Sequence, residues 1–220
     1  MTAPRIALVH AMPVAIEPVA HVFREMWPQA RITHLLDDSL PPDLTAAGSI
    51  TPAIVERFIT LARYCEASGA NAILFTCSAF GTAIEAAKSA VKVPVLKPNE
   101  AMLDEALAAG PTLGVIATFE PSIPSLKKEF EELASSRGIK LKLKTRTVPA
   151  AITALLKGHG SEHDSLIAAA AAEMGQCDAL VLGQFSMARA AAGIPKAPGR
   201  KVLTSPHSAV TRLKRIFDVR

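Results

Sequence analysis

The chain is poor in the residues from which most recognisable sites are built. It holds three cysteines in 220 residues, Cys65, Cys77 and Cys177, and none stands in a CxxC or Cys/His spacing that would bind zinc. An odd number of thiols fits reducing surroundings better than a disulfide framework. Neither GxGxxG nor GxxxxGK[ST] occurs, so nucleotide phosphates find no glycine cradle. Only 20% of residues are charged and the net charge is +4. The basic residues are scattered over 127–128, 140–146, 196–201 and 212–220, which argues against a nucleic-acid surface. The uncharged stretch between Glu66 and Glu85 is interrupted by Asn71, Thr76, Ser78 and two glycines, so it is not a membrane span. The apolar part of "MTAPRIALVH" is too short for a secretory leader. A cytoplasmic protein is expected, with no nucleic-acid or membrane partner. His159 and His163 in "GHGSEHD" lie four apart but have no third ligand nearby in sequence, and no metal is expected.

What is present is alternation. Half of the residues are hydrophobic, and they fall into short runs separated by longer helical stretches. Strands are predicted at 5–11, 32–36, 72–76, 93–97, 112–118, 140–144, 179–183 and 201–205. Helices are predicted at 16–27, 52–67, 100–109, 122–136 and 164–175. Thr51-Pro52 is a helix start, a capping hydroxyl before proline at the first helical position. This rhythm predicts an α/β fold with mostly parallel sheets flanked by helices.

The strands also repeat. Ile6, Ala72 and Val95 each lie 107 residues before Leu113, Ala179 and Val202. A constant spacing over three strands predicts two pseudo-symmetric, duplicated α/β halves of four strands each, 1–110 and 111–220. A cleft lined by strand-end loops of both halves is expected between them, since open parallel sheets bind ligands beyond the carboxyl ends of their strands.

Those loops define the candidates. "AILFTCSAFGTAIE" places Cys77 where a strand opens into a helix, and "ALVLGQFSMARAAA" places Gln184 at the repeat-equivalent position. Unpaired N–H groups and a positive helix end would lower the pKa of a thiol there and favour an anion; alternatively Cys77 is a small buried hydrophobe. Cys65 and Cys177 read as packing residues. Glutamine can hydrogen-bond but cannot exchange a proton as a base near neutrality. Ser78, Thr118, Ser122 and Ser186 supply hydroxyls suited to a carboxylate, with Ser122 reading equally as a helix cap. Asp38 follows the second strand and reads as a substrate contact or a turn residue. His10 ends the first strand, either as a second acid/base beside Cys77 or as a structural histidine.

The segments "ILFTCSAFG", "GVIATFEPS" and "LVLGQFSMA", with "VLKPNEA" and "VLTSPHSAV", resemble the aspartate/glutamate/hydantoin racemase superfamily over essentially the whole chain. That resemblance implies chemistry without metal or cofactor, in which two strand-end cysteines face each other across the α-carbon of a small carboxylate substrate. It also suggests a homo-oligomer. Cys77 matches the first cysteine, with Ser78 and Ala79 as carboxylate-binding neighbours, and Thr118 and Ser122 match a carboxylate-holding loop of the second half. The second cysteine is missing, because Gln184 stands there and Cys177 lies seven residues earlier. The expectation is a thiol-based racemase or isomerase with Cys77 as its sole active-site thiol. Two alternatives stand beside it. One is a single-cysteine decarboxylase or cis-trans isomerase of a small dicarboxylate, akin to arylmalonate decarboxylase or maleate isomerase. The other is a non-catalytic carboxylate-binding protein.

Overall fold

The computed structural model describes residues 3–218. In chain order, the first elements are β1 (Arg5–His10), α1 (Ile16–Met26), β2 (Arg31–Leu36), α2 (Leu40–Ala47), α3 (Pro52–Ala67), β3 (Ala72–Phe75), α4 (Gly81–Ala90), β4 (Val95–Leu96) and α5 (Glu100–Ala109). Then come β5 (Thr112–Ala117), α6 (Ser122–Ser136), β6 (Lys142–Thr147), α7 (Pro149–Leu156), α8 (Gly160–Glu173), β7 (Ala179–Leu182), β8 (Lys201–Thr204) and α9 (Ser205–Asp218). They build two four-stranded, all-parallel sheets with strand orders β2-β1-β3-β4 and β6-β5-β7-β8. The duplicated α/β architecture expected from the sequence is what the chain adopts.

Among the described residues, one compact unit comprises 3–98 and 209–218, the other 99–208. In the first, Ala7, Val9, Ile73 and Phe75 face α3 and α4, where Phe58 stacks within 5.2 Å of Phe75 and 5.0 Å of Phe80. Late residues complete this unit, because Phe217 packs against Trp27 at 5.8 Å and Lys214 Nζ donates to the Met26 carbonyl. In the second unit the central strands divide their side chains by parity. Leu113, Val115, Ala179 and Val181 join Leu126 and Phe130 on one face, while Ile116, Leu180 and Leu182 join Ile167 and Met187 on the other. Burial on both faces is why β3 and β7 are uninterrupted apolar runs. The edge strand β6 is half-exposed and turns Lys142, Lys144 and Arg146 to one side, which blunts edge-to-edge pairing.

The repeat holds at the level of register. Ile6 pairs with Ala72 as Leu113 pairs with Ala179, and Ile73 pairs with Val95 as Leu180 pairs with Val202. It also holds in side-chain brackets at the strand starts. Asn71 Oδ1 accepts from the Arg5 N–H at 2.8 Å, and its counterpart Asp178 accepts from the Thr112 N–H at 2.8 Å.

Three elements differ from the sequence reading by more than one residue at a boundary. The 93–97 strand contracts to the two-residue β4. The 140–144 strand slides to 142–147, because its pairing with β5 begins at Thr112↔Lys142. The helix predicted at 164–175 starts at Gly160: Gly158, at φ +84, closes α7, and Gly160 opens α8 where a Cβ would strike the Arg189 guanidinium. Among the described residues no helix is long and apolar enough to cross a membrane.

Candidate active site

In each sheet the chain leaves the central strand, β1 or β5, in one direction and returns on its other side. The switch points therefore fall between the carboxyl ends of β1 and β3 and between those of β5 and β7, where a doubly wound sheet opens a crevice. Residues 77–79 lie at the first switch point and residues 118–122 with 184–186 at the second.

In the first unit Cys77 stands between β3 and a single 3-10 turn, Ser78–Phe80, that leads into α4. Its thiol is half-buried, and Ser78 and Ala79 are partly open beside it. Burial pushes the Cys77 thiol above its ordinary value, and the Ala79 N–H only partly opposes this. The lowered pKa expected from a helix end is not what the local structure produces. The turn is too short to bring a full helix terminus to bear, and desolvation prevails.

His10 reaches the same place. It lines a crevice with Cys77, Val9, Ala11, Leu40, Phe58 and Phe75 that is too tight for a water molecule. Its ring is fully buried, with Nδ1 2.9 Å from Thr76 Oγ1 and Nε2 3.0 Å from His34 Nδ1. Burial, reinforced by His34, lowers its pKa to about 4, so at neutral pH it is an uncharged ring and supplies no cationic field to the thiol.

The turn after β2 is tied up differently. Asp37 Oδ1 accepts from the Ser39 hydroxyl at 2.7 Å, and Arg57 bridges Asp37 to Asp43, with Nε 2.7 Å from Asp37 Oδ2. Asp38 stands exposed on this turn.

In the second unit Thr118, Ser122 and Gln184 are gathered into one bracket. Gln184 Oε1 accepts from the Thr118 N–H at 2.8 Å and from its hydroxyl at 3.3 Å. Gln184 Nε2 donates to Ser122 Oγ at 2.8 Å, and Ser122 Oγ donates onward to the Phe119 carbonyl at 2.7 Å. Thr118, Ser122 and Ser186 are all buried. Gly183 permits the close approach, since a Cβ there would lie 3.2 Å from the Ile116 carbonyl oxygen. This bracket ties the ends of β5 and β7 together, and it carries no group that titrates near neutrality.

The other thiols lie elsewhere. Cys65 is buried in α3 and pushed up to about 11 by desolvation. Cys177 precedes β7 at the amino edge of its sheet, in a pocket of about 230 Å³ lined also by Gly114, Lys142 and Lys144. His159 and His163 separate, the first beside Glu162 and the second buried with Nδ1 2.8 Å from Asp164 Oδ1. Among the described residues no group of three His, Cys, Asp or Glu side chains could hold a metal ion.

The Asp/Glu/Hydantoin racemase family matches residues 18–213, nearly the whole chain. The chain belongs to this family. Its fold is that of glutamate racemase RacE1 from Bacillus anthracis, with a TM-score of 0.68 at 15% identity over 99% of this chain and 83% of that one. Aspartate racemase from Picrophilus torridus gives 0.70 at 15% identity, over 96% and 94% of the two chains. A mutant of arylmalonate decarboxylase gives 0.67 at 17% identity, over 97% and 93%. No curated protein sequence matches the chain. Thus the racemase fold is shared by racemases and by a decarboxylase, and the side chains at the switch points decide between chemistries.

Reading the sequence did not single out Thr76 or His34 as the neighbours of His10. Both matter only through the parallel register that sets Leu8 against His34 and Val9 against Phe75. Nothing in a single strand's pattern announces that register.

Proposed function

We propose that the protein is a cofactor-independent enzyme that moves a proton at the carbon α to a carboxylate of a small acid, with Cys77 as its only active-site thiol and one face of the carbon served. The observation that carries this reading is the asymmetry between equivalent positions. Residue 77 is a thiol whose pKa burial pushes above the ordinary thiol value, whereas residue 184 is an amide whose oxygen and nitrogen both bond Thr118 and Ser122. A protonated thiol is a general acid. In the decarboxylation of a malonate-type acid, the C–CO₂ bond would break and its electron pair would rest in an enediolate of the remaining carboxylate. The Cys77 S–H would then give its proton to carbon, and the thiolate would recover one from water. The Ser78 hydroxyl and N–H are suited to the carboxylate that stays behind.

Family membership favours a second reading, racemisation. It demands a proton carrier for the other face, a role that neither Gln184 nor the neutral His10 fills.

Proton NMR in D₂O separates the two. The purified protein is incubated with amino acids of both hands, hydantoins, malonates and maleate, beside Cys77→Ala. One deuterium entering with a single hand of product, and only when Cys77 is present, is the expected result. Deuterium entering with loss of optical purity would establish racemisation instead. Full turnover by Cys77→Ala would remove the thiol from the mechanism, and saturable line broadening without turnover would point to a carboxylate-binding protein.

A further inference from the structure

Each sheet ends in an edge strand that follows its central strand, β2 in the first and β6 in the second. The Arg31 N–H donates to the Pro4 carbonyl at 2.8 Å and the Asp37 N–H to the His10 carbonyl at 2.9 Å. Alternation along the parallel ladder therefore turns the backbone groups of residues 31, 33 and 35 toward β1, and those of Ile32, His34 and Leu36 outward. On β6 the Lys142 N–H donates to the Pro111 carbonyl and the Val148 N–H to the Ala117 carbonyl, each at 2.8 Å, so Leu143, Thr145 and Thr147 are turned outward. The two edges have the same geometry and differ in side chains. Lys142, Lys144 and Arg146 guard β6, whereas "RITHLL" holds one cation, at its start, and leaves Leu36 40% exposed.

We propose that β2 is a docking edge for a second copy of this chain, which pairs with it antiparallel about His34 and joins the two four-stranded sheets edge to edge. A strand that pairs with its own copy about a two-fold axis runs antiparallel to it and sets outward residues against outward residues. With three outward residues, one register pairs them all: Ile32 against Leu36 of the copy, His34 against His34, and Leu36 against Ile32, with about six backbone hydrogen bonds. The same register is complementary in side chains. Thr33 falls against Leu35, and Arg31 falls against Asp37 with Asp38 beside it. Arg31 and Asp38 both stand exposed, at opposite ends of the strand, so the pairing closes with an ion pair at each end. On the axis itself, His34 adds no opposing charges at neutral pH, because burial holds its pKa below the ordinary value. The same operation on β6, centred on Thr145, sets Lys144 against Arg146 twice over, like charge on like. The pairing uses none of the residues that line the Cys77 crevice, so it stands or falls apart from the reaction proposed for that thiol.

Two measurements on the whole protein at neutral pH test it. Sedimentation over a concentration series gives the mass, expected to be that of two chains, and the dissociation constant. Arg31→Asp sets acid against Asp37 and Asp38 and is expected to weaken the dimer about tenfold. Asp38→Arg added to it puts the opposite charge back in reach and is expected to recover affinity. Amide hydrogen exchange read residue by residue by NMR gives the register. The Ile32, His34 and Leu36 amides are expected to be protected at high concentration and released on dilution, while those of Thr33 and Leu35, bonded to β1, stay protected throughout. A monomer at NMR concentrations, a dimer indifferent to Arg31→Asp, or outward amides that exchange alike at every concentration would each overturn the proposal. Masses that keep growing past two chains would overturn it too, since they mean an open, head-to-tail pairing of β2 with β6. If a variant does not fold, the wild-type amides still decide.

Discussion

At the amino ends of their strands the two units are near copies; at the carboxyl ends they part. Asn71 brackets β1 as Asp178 brackets β5, with the same donor, the same geometry and the same spacing in the chain. Even the insertion between central and edge strands leaves the sheet undisturbed, since α1 has 11 residues and α6 has 15 while the strands they join keep parallel pairing. Yet residue 77 is a thiol with one backbone partner, and residue 184 is an amide that makes three hydrogen bonds. The buried histidine of the first unit is Ala117 in the second. A duplicated frame has therefore kept what holds strands in register and varied what a ligand would meet. The second switch point has become a brace, and the first keeps a thiol.

The sharpest way to break this contrast is to exchange its consequences. Cys77→Ala is expected to cut turnover by roughly 10²–10⁴-fold with little loss of stability, since a half-buried thiol leaves only a small void. Gln184→Leu is expected to act in the opposite sense. It leaves the buried Thr118 N–H without an acceptor and should cost about 1–3 kcal/mol in urea unfolding. Equal stability losses in the two variants would dissolve the distinction between reactive and bracing positions.

Acid should find the first unit. His10 has a folded pKa of about 4 against 6.5 unfolded. The unfolded chain therefore binds the extra proton between these values, and stability falls as pH drops from about 6.5 to about 4, by on the order of 3 kcal/mol. His10→Leu should flatten that part of the urea-midpoint profile, and a slope that survives the substitution would place the acid sensitivity elsewhere.

The smallest effect tests the shared part. Asn71→Ala and Asp178→Ala each remove one acceptor from a strand-start N–H, and each should cost about 1 kcal/mol by thermal unfolding. Asp178 also fills the space beside Gly110, where a Cβ would come within 2.4 Å of its carboxylate, so its loss should be the larger of the two. Reversal of that order would mean that the brackets are less alike than their geometry.

The frame was legible in the sequence because parallel strands covered on both faces are written as apolar runs, and a duplication writes them twice. All eight strands and the bounds of α3, α5 and α6 follow from composition and capping alone; Thr51 Oγ1 does accept from the Ile54 N–H. Short helices with proline in the first turn, α2 and α7, were not read, since a proline pair in "LPPDLTAA" looks like a break until the first-turn position makes it harmless. At the site, Cys77 and Gln184 stood out by position. Their states did not, because the raised thiol and the bonded amide depend on what neighbouring strands bring alongside. His34 was hidden for the same reason.

The first unit is discontinuous in the chain, with all of the second unit lying between its residue 98 and its residue 209. On the ribosome, the segment made first must wait for a segment made more than a hundred residues later. Trp27 has no Phe217 to lie against until α9 has emerged, whereas the second unit is already whole once residue 208 has been added. The order of synthesis and the order of completion are therefore reversed. The half that carries Cys77 is the half that spends longest unfinished, with its thiol and apolar strands in need of shelter while the rest of the chain is made.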